Sequence, residues 1–243
     1  MSYSIIPDSD NARMILESFH SRFPEMKPFV GDEYEKARAN KCALLVIGES
    51  HYLPDKSTIH KDCEKWYSSN NAELTEQEKG WINTGELIRD DINNKHFQKE
   101  HNIWKNGYHA IYQYGLGLHY NDEKNSNTAF MKCFEYTVFY NFYLRPANKG
   151  NSIKELRQSL DDEIANVFFE QMVNQFSPNG IIFFSRFAYD NCLAKEKFNI
   201  PIVATPHPSC CWWNRKSGKY GGRYGREIVQ DAMKCMNWEW IRS

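Results

Sequence analysis

Four short apolar runs along the chain predict the strands of a β-sheet. The runs cover residues 42–48, 137–144, 180–185 and 200–205. Each is bounded by polar or turn-forming residues and is too short for a helix, which is typical of strands buried on both faces of a parallel sheet. The fourth run contains Pro201. Because proline cannot donate to a strand ladder, we expect this strand at an edge of the sheet.

Helical patterns separate these runs. They occupy residues 11–24, 73–118, 152–176, 188–198 and 227–235. Ser152 and Glu155 have the spacing of a capping box, which predicts that a helix begins there. Residues 49–72 are polar and contain Pro54, which predicts a loop. Strands that alternate with helices favour an α/β fold, so we expect one domain over residues 1–243, a three-layer α/β/α arrangement with a small central parallel sheet.

Composition and charge narrow the class of protein. The 243 residues carry 30 Lys and Arg against 31 Asp and Glu, a formal charge of −1, which excludes a protein that binds polyanions through its overall charge. With 7 Trp, 14 Tyr and 15 Phe, the chain is too aromatic to be disordered. It has no apolar run of about 20 residues that could span a bilayer, and residues 1–8 lack the pattern of a signal peptide. We therefore expect a cytoplasmic protein that does not associate with membranes.

Seven cysteines are spread along the chain without a C-x-x-C motif. In a chain without a secretion signal we expect reduced thiols, most of them buried as small hydrophobic side chains. Cys210 and Cys211 lie close to His207, which suggests a metal site. Zinc sites usually combine two such clusters, and a second cluster is missing from the sequence. We therefore expect no bound metal, and no motif predicts a cofactor.

Polar residues follow or interrupt the predicted strands. In open α/β sheets, ligands bind beyond the carboxyl ends of the strands. We therefore expect these polar side chains to meet in one pocket. They are Glu49, Ser50, His51, Tyr52, Asn141, Ser185, Arg186, His207 and Ser209.

Three short motifs among these residues resemble those of a known family. Gly48-Glu49-Ser50-His51-Tyr52 follows the first strand, Val138-Phe139-Tyr140-Asn141 lies in the second, and His207-Pro208-Ser209 follows the fourth. In order and position they resemble the motifs of the uracil-DNA glycosylase superfamily. Those motifs are GQDPYH, or GEAPG in the iron–sulfur branch, then a segment that ends in Asn, and finally HPSPLS. The resemblance covers roughly residues 42–235, although residues 49–135 match no part of the family apart from the end of the first motif.

The resemblance implies the α/β fold of that family, DNA as the partner, and roles for individual residues. Gly48 would let the backbone approach the base, Tyr52 would exclude the methyl group of thymine, and Asn141 would hydrogen-bond the edge of uracil. His207 would stabilise charge that develops on uracil O2, and Ser209 would hold a phosphate.

One motif departs from the family pattern. Ser50 stands where the GQDPYH branch has the aspartate that positions the attacking water. Glu49 matches the GEAPG branch instead, but the chain lacks the cysteines that hold the cluster of that branch. The resemblance therefore implies Glu49, Ser50 and His207 as catalytic residues, with His51 as part of the substrate pocket.

The chemistry of N-glycosidic bond hydrolysis suits these residue types. The sugar becomes an oxocarbenium-like cation, and the departing base takes up negative charge. A carboxylate such as Glu49 stabilises the cation, a histidine such as His207 stabilises the base, and an amide such as Asn141 both donates to and accepts from a base edge. The simpler interpretations are a solvent-facing carboxylate at Glu49 and a turn histidine at His207.

Residues 207–226 are basic and aromatic, although the whole chain is nearly neutral. The segment contains no Asp or Glu. Its cations and rings are Arg215, Lys216, Lys219, Arg223, Arg226, Trp212, Trp213, Tyr220 and Tyr224. Cations interleaved with aromatic side chains are typical of nucleic-acid binding. Arg215, Lys216, Lys219 and Arg223 are the predicted contacts to DNA.

Two functions follow from these patterns. The first is a DNA glycosylase that removes uracil or a related damaged base. The second is a non-catalytic nucleic-acid or nucleotide-binding module on the same fold, in which Ser50 marks the lost carboxylate. A serine hydrolase is disfavoured, because Tyr52 occupies the last glycine position of a G-x-S-x-G turn.

Overall fold

The computed structural model describes residues 10–94, 103–116, 133–234 and 236, and a five-stranded sheet lies at its centre. The strands are β1 (Phe29–Val30), β2 (Leu44–Leu53), β3 (Thr137–Asn148), β4 (Gly180–Phe183) and β5 (Ile202–Ala204). Their order is β1-β3-β2-β4-β5, and every neighbouring pair is parallel except β1 with β3. The four predicted strands, their parallel arrangement and the edge position of β5 are confirmed. The pattern did not predict β1, because two residues are too few to form an apolar run.

Strands β2 and β3 extend further than predicted. The loop expected from residue 49 begins only after Leu53, because β2 and β3 continue to pair as far as Leu53 and Asn148. The register shifts after Ser50 pairs with Tyr143, so that β3 bulges around Pro146, which has no N–H to donate. The Arg-Pro sequence therefore does not end β3. Asn141 lies within β3, as the predicted strand over residues 137–144 implied.

Helices cover the sheet and connect its strands. The α-helices of the described residues are α1 (Asp10–Arg22), α2 (Tyr34–Ala39), α3 (Cys63–Ser68), α4 (Glu76–Ile82), α5 (Thr84–Asn94), α6 (His109–Leu116), α7 (Ser159–Phe176), α8 (Arg186–Asn191) and α9 (Gly225–Met233). A π-helical turn over Ile103–Tyr108 precedes α6. The segment predicted as loop over residues 49–72 therefore contains α3 as well as the end of β2.

The longest of these helices, α7, begins later than the capping pattern predicted. Ser152 caps only a short 3₁₀ turn, Ile153–Glu155, through the backbone N–H of Lys154. The helix begins at Ser159, and Gln158 is its N-cap. The backbone N–H of Gln158 donates to Asp161 Oδ2 at 2.8 Å, which closes a capping box at that position.

Side chains on β3 alternate between two helical layers. Tyr140 packs edge-on against Phe168 of α7, with ring centroids 5.2 Å apart. Its neighbour Phe139 packs against Trp104 of the π-helical turn at 4.6 Å. Helix α1 lies against α7, and α6 lies against α9, which packs on β4 and β5. The three-layer α/β/α fold is thereby confirmed.

A fully buried ion pair joins β3 to the start of α7. Arg145 donates from Nε to Asp161 Oδ1 at 2.9 Å and from Nη2 to Oδ2 at 2.5 Å, and neither side chain is exposed. Arg145 also donates to the carbonyl of His60 at 2.8 Å. Asp161 accepts two further bonds, from the Tyr67 hydroxyl at 3.0 Å and the Gln158 backbone N–H at 2.8 Å. The pair thus ties four segments of the chain together.

Most cysteines contribute to the core, as expected. Cys42, Cys63, Cys133 and Cys192 are buried free thiols, while Cys210 is half-buried and Cys211 is exposed. Cys235, which the pattern placed in the last helix, and residues 1–8, in which no signal peptide was detected, lie outside the described residues. Within the described ranges, no helix has the length and apolar character needed to cross a membrane.

Replacing Asp161 by Ala should strongly destabilise the protein. Arg145 would then be a buried charge without its counter-ion, which costs about 3–5 kcal/mol. The free energy of unfolding, measured by urea titration, is expected to fall by that amount. The control is Glu35→Ala, which breaks the exposed pair with Arg38 and should cost about 0–1 kcal/mol. Equal losses in the two variants would contradict a special role of the buried pair.

Candidate functional site

A cavity of about 770 Å³ lies at the carboxyl edge of the sheet. Seven of the residues predicted from the sequence line it: Glu49, Ser50, His51, Tyr52, Asn141, His207 and Ser209. They come from β2, from β3 and from the loop after β5. Strand β4 pairs with β2 only as far as Ile47. The cavity therefore opens where β2 and β3 continue beyond the end of β4. The predicted convergence of these side chains is therefore present.

Asn141 contributes an amide that has no hydrogen-bond partner among the described residues. The residue is 9% exposed and lines the cavity. Its amide atoms are not among the fully enclosed side-chain atoms that lack a partner, so a ligand or water in the cavity can reach them. A polar group of this kind costs free energy unless a ligand or water satisfies it. The amide can donate and accept at once, which suits recognition of a ligand edge.

Gly48 makes room for this amide. The two residues are paired across β2 and β3. A Cβ atom at Gly48 would lie 2.1 Å from Asn141 Oδ1, far inside van der Waals contact. Gly48 itself is not among the residues that line the cavity. The space above this glycine is thus filled by the Asn141 side chain, not left open for a base as the motif implied.

Glu49 is held by three hydrogen-bond donors. The Ser152 hydroxyl donates to Oε1 at 2.5 Å, and the Ile153 backbone N–H donates to the same oxygen at 3.3 Å. The Ser185 hydroxyl donates to Oε2 at 2.6 Å and also caps α8. The carboxylate is therefore fixed from both sides, which contradicts the interpretation of Glu49 as a loop side chain in solvent.

His207 has a defined tautomer when it is neutral. The backbone N–H of Ser209 donates to Nδ1 at 3.1 Å. A neutral imidazole with Nδ1 as acceptor carries its proton on Nε2. Burial lowers the pKa of His207, and the nearby Glu49 carboxylate opposes this shift. At neutral pH the ring thus presents Nε2–H as a donor to a ligand in the cavity.

His51 lines the cavity and also bonds within the protein. Its Nε2 lies 3.0 Å from Thr84 Oγ1, and the ring also hydrogen-bonds the backbone of Trp81. Burial lowers the pKa of His51 to about 4, so the ring is neutral near pH 7. The ring thus joins β2 to the corner between α4 and α5, and its contact with a substrate stays a prediction.

The remaining polar residues of the motifs are more accessible. Ser50 is half-buried, and Ser209 is exposed at the rim of the cavity. Tyr52 is 37% exposed, and its pKa is raised by burial and by the charge of Glu49. Arg186, which was expected in the pocket, instead forms an ion pair with Asp190 at 2.8 Å.

One wall of the cavity was missed by the sequence analysis. It is apolar and consists of Trp81, Leu87, Ile103, Trp104 and Phe139. Most of these residues belong to the segment that has no counterpart in the resembled family. Two tryptophans in an otherwise polar stretch were the available signal. Their position over the sheet could not be inferred, because it depends on how the segment folds back.

The basic segment contains both exposed and paired cations. Arg215, Lys216 and Lys219 are exposed. Arg223, predicted as a DNA contact, instead binds Asp231, with Nη1 at 2.5 Å from Oδ2, and also donates to the Glu227 carbonyl. The three exposed cations are thus the ones that this segment offers to a polyanion.

The two adjacent tryptophans of this segment differ in environment. Trp212 is 43% exposed, whereas Trp213 is buried and packs edge-on against Phe184. The described part of the chain contains no group of three or more His, Cys, Asp or Glu side chains arranged to hold a metal.

Substituting Gly48 by Ala should displace the Asn141 amide. The new methyl group overlaps the amide oxygen, and overpacking of this kind costs about 1–3 kcal/mol. The readouts are urea unfolding and the side-chain amide resonances of Asn141. Gly80→Ala is the matched control, since Gly80 also lines the cavity but has no heavy atom within 4 Å of an added Cβ. An unchanged amide signal in Gly48→Ala would contradict this account.

Comparison of the chain with protein-family models, with curated proteins and with solved structures finds no match. The resemblance to the uracil-DNA glycosylase superfamily stays a prediction that is based on the three motifs.

Proposed function

We propose that this protein hydrolyses the N-glycosidic bond of uracil or a related damaged base in DNA. The observation that carries the proposal is the buried Asn141 amide, which has no partner among the described residues and lines the same cavity as Glu49 and His207. An amide reads the edge of a base, a carboxylate stabilises the sugar cation, and a neutral histidine stabilises the departing base. The cavity therefore combines the three kinds of group that this reaction needs.

His207 acts on the leaving base. Negative charge develops on an exocyclic oxygen of the base as the bond to the sugar breaks. The Nε2–H group of a neutral His207 donates a hydrogen bond to that oxygen and stabilises the charge. The bond from the Ser209 backbone to Nδ1 holds the ring in the tautomer that this step requires.

Glu49 acts on the sugar and the water. Its two carboxylate oxygens have about four acceptor positions, and the two hydroxyls and one backbone N–H occupy three of them. The fixed negative charge stabilises the oxocarbenium-like sugar. The remaining acceptor position orients a water molecule for attack on the sugar carbon, together with the Ser50 hydroxyl.

The exposed cations of the basic segment bind the DNA backbone. Arg215, Lys216 and Lys219 follow Ser209 in the chain. Ser209 lines the cavity, whereas the three cations do not. A base must leave the duplex to enter a cavity of this kind, and phosphate contacts beside the cavity hold the distorted strand. The exposed ring of Trp212 is available to stack against an unpaired base.

Hydrolysis is tested with labelled oligonucleotides that contain one uracil, thymine, hypoxanthine or mismatched base. We expect abasic sites, detected by alkaline cleavage, from the uracil substrate. His207→Ala should slow the reaction about a hundredfold or more, the cost of losing one oxyanion donor. Asn141→Asp should abolish selectivity for uracil, because a carboxylate cannot donate to the base edge. The exposed Asn174→Asp is the matched control and should leave both rate and selectivity unchanged.

The same assay separates the two functions that the sequence left open. If no substrate yields abasic sites while oligonucleotides still bind, the protein is a non-catalytic nucleic-acid or nucleotide-binding module. Ser50, which provides a hydroxyl where a carboxylate was expected, is the observation that favours this second function.

Removing three exposed cations should weaken DNA binding independently of sequence. For the triple variant of Arg215, Lys216 and Lys219 to Ala, the slope of log K against log salt should decrease by about 2–3, since each phosphate contact contributes about 0.7–0.9. Fluorescence anisotropy at several salt concentrations measures the slope. A control triple variant of Lys27, Lys36 and Arg38 to Ala, which precede the amino end of β2, removes the same charge. Equal slopes in the two triple variants would show that the basic segment does not bind DNA.

A further inference from the structure

The cavity is larger than a single pyrimidine ring requires. Its volume of about 770 Å³ lies in the upper part of the range of about 300–1,000 Å³ that is typical of sites for drug-sized ligands. The polar groups assigned to base, sugar and water account for part of its lining. The apolar wall of Trp81, Leu87, Ile103, Trp104 and Phe139 has no role in the proposed hydrolysis.

The apolar wall starts beside the group that reads the base. Phe139 and Asn141 are two residues apart on β3, so their side chains lie on the same face of the strand. The edge of the Phe139 ring meets Trp104 with centroids 4.6 Å apart. Trp104 is itself supported by Tyr108 at 6.0 Å and Phe134 at 6.1 Å. A base on Asn141 would therefore lie beside a closely packed aromatic cluster, in which Phe139 is 2% and Trp104 6% exposed.

The part of the wall that contains Trp81 is also held in place. His51 bonds to Thr84 and to the Trp81 backbone, and so fixes the corner between α4 and α5 against β2. The ammonium group of Lys149 lies 5.3 Å from the centroid of the Trp81 ring. These contacts order the wall before any ligand binds, which reduces the entropy cost of binding against it.

We propose that the base accepted by this cavity carries an apolar extension, such as a ring or a short hydrocarbon chain. The extension lies against Trp81, Leu87 and Ile103, while the base itself is read by Asn141. These three side chains are half-buried, whereas Phe139 and Trp104 behind them are only 2% and 6% exposed. An unmodified pyrimidine would leave the three half-buried side chains facing water, whereas an apolar extension would cover them. The inference rests on the proposed function and specifies the class of damaged or modified base.

The test uses oligonucleotides that differ at one base. Uracil, cytosine and adenine are compared with the same bases carrying a benzyl group at C5, N4 and N6 respectively. Affinity is measured by fluorescence anisotropy, and excision by alkaline cleavage. At least one benzylated base should bind about tenfold more tightly than its parent, the factor that corresponds to about 1.4 kcal/mol.

Variants of the apolar wall show whether the tighter binding of the benzylated base, called the gain below, depends on contacts with that wall. Leu87→Trp places a larger side chain in the apolar wall and should reduce affinity for the benzylated base more than affinity for its parent, so that the tighter binding of the benzylated base is lost. Leu193→Trp is the matched control, because Leu193 is 42% exposed and does not line the cavity. If Leu87→Trp does not fold, Trp81→Leu removes one ring of the wall and should also reduce the gain.

The two readouts separate this inference from the proposed function. Tighter binding of a benzylated base that is lost in Leu87→Trp supports the apolar site, even if no base is excised and the hydrolysis proposal fails. Excision of uracil without tighter binding of any benzylated base overturns the inference and leaves the hydrolysis proposal intact. Equal losses for parent and benzylated base in Leu87→Trp also overturn it.

Discussion

The buried ion pair of Arg145 and Asp161 is the constraint on which the candidate site depends. Burying two charges carries a large desolvation cost, which is offset only when hydrogen bonds satisfy both groups. Here Asp161 also accepts from Tyr67 and the Gln158 backbone, and Arg145 donates to two further carbonyls. The chain between the two charged residues includes Ser152 and Ile153, which hold the Glu49 carboxylate. A structural ion pair thereby determines where a candidate catalytic group lies.

The sheet and the helical segment after β2 contribute different parts of the cavity. Strands β2 and β3 supply the carboxylate and the amide, because they extend beyond β4 and leave their side chains accessible at the sheet edge. The helices α4 and α5 and the π-helical turn supply the apolar wall. The carboxylate and the amide are thus placed by strand pairing, whereas most of the apolar wall is placed by packing of the helical segment after β2.

Hydrogen-bond partners distinguish the side chains that support the site from those that are available to a ligand. His51 and Asn141 both line the cavity and both are buried. His51 is engaged by Thr84 and Trp81, whereas the Asn141 amide has no partner among the described residues. The same contrast separates Arg223, which is paired with Asp231, from the exposed Lys216. Residue type alone does not reveal this difference, because it depends on which neighbours the fold supplies.

The sequence by itself determined the α/β class, the four parallel strands and the convergence of polar side chains at their carboxyl ends. These features follow from local apolar runs and from the rule that parallel strands end at one edge. Only the tertiary structure decided that β2 continues past Gly48 and β3 past Leu144, since each strand end is stabilised by the other. It also decided the partners of Glu49, whose donors Ser152 and Ser185 are 103 and 136 residues away in the chain. Hydrogen bonds and packing depend on distance in space, and a linear pattern of residues does not contain that distance.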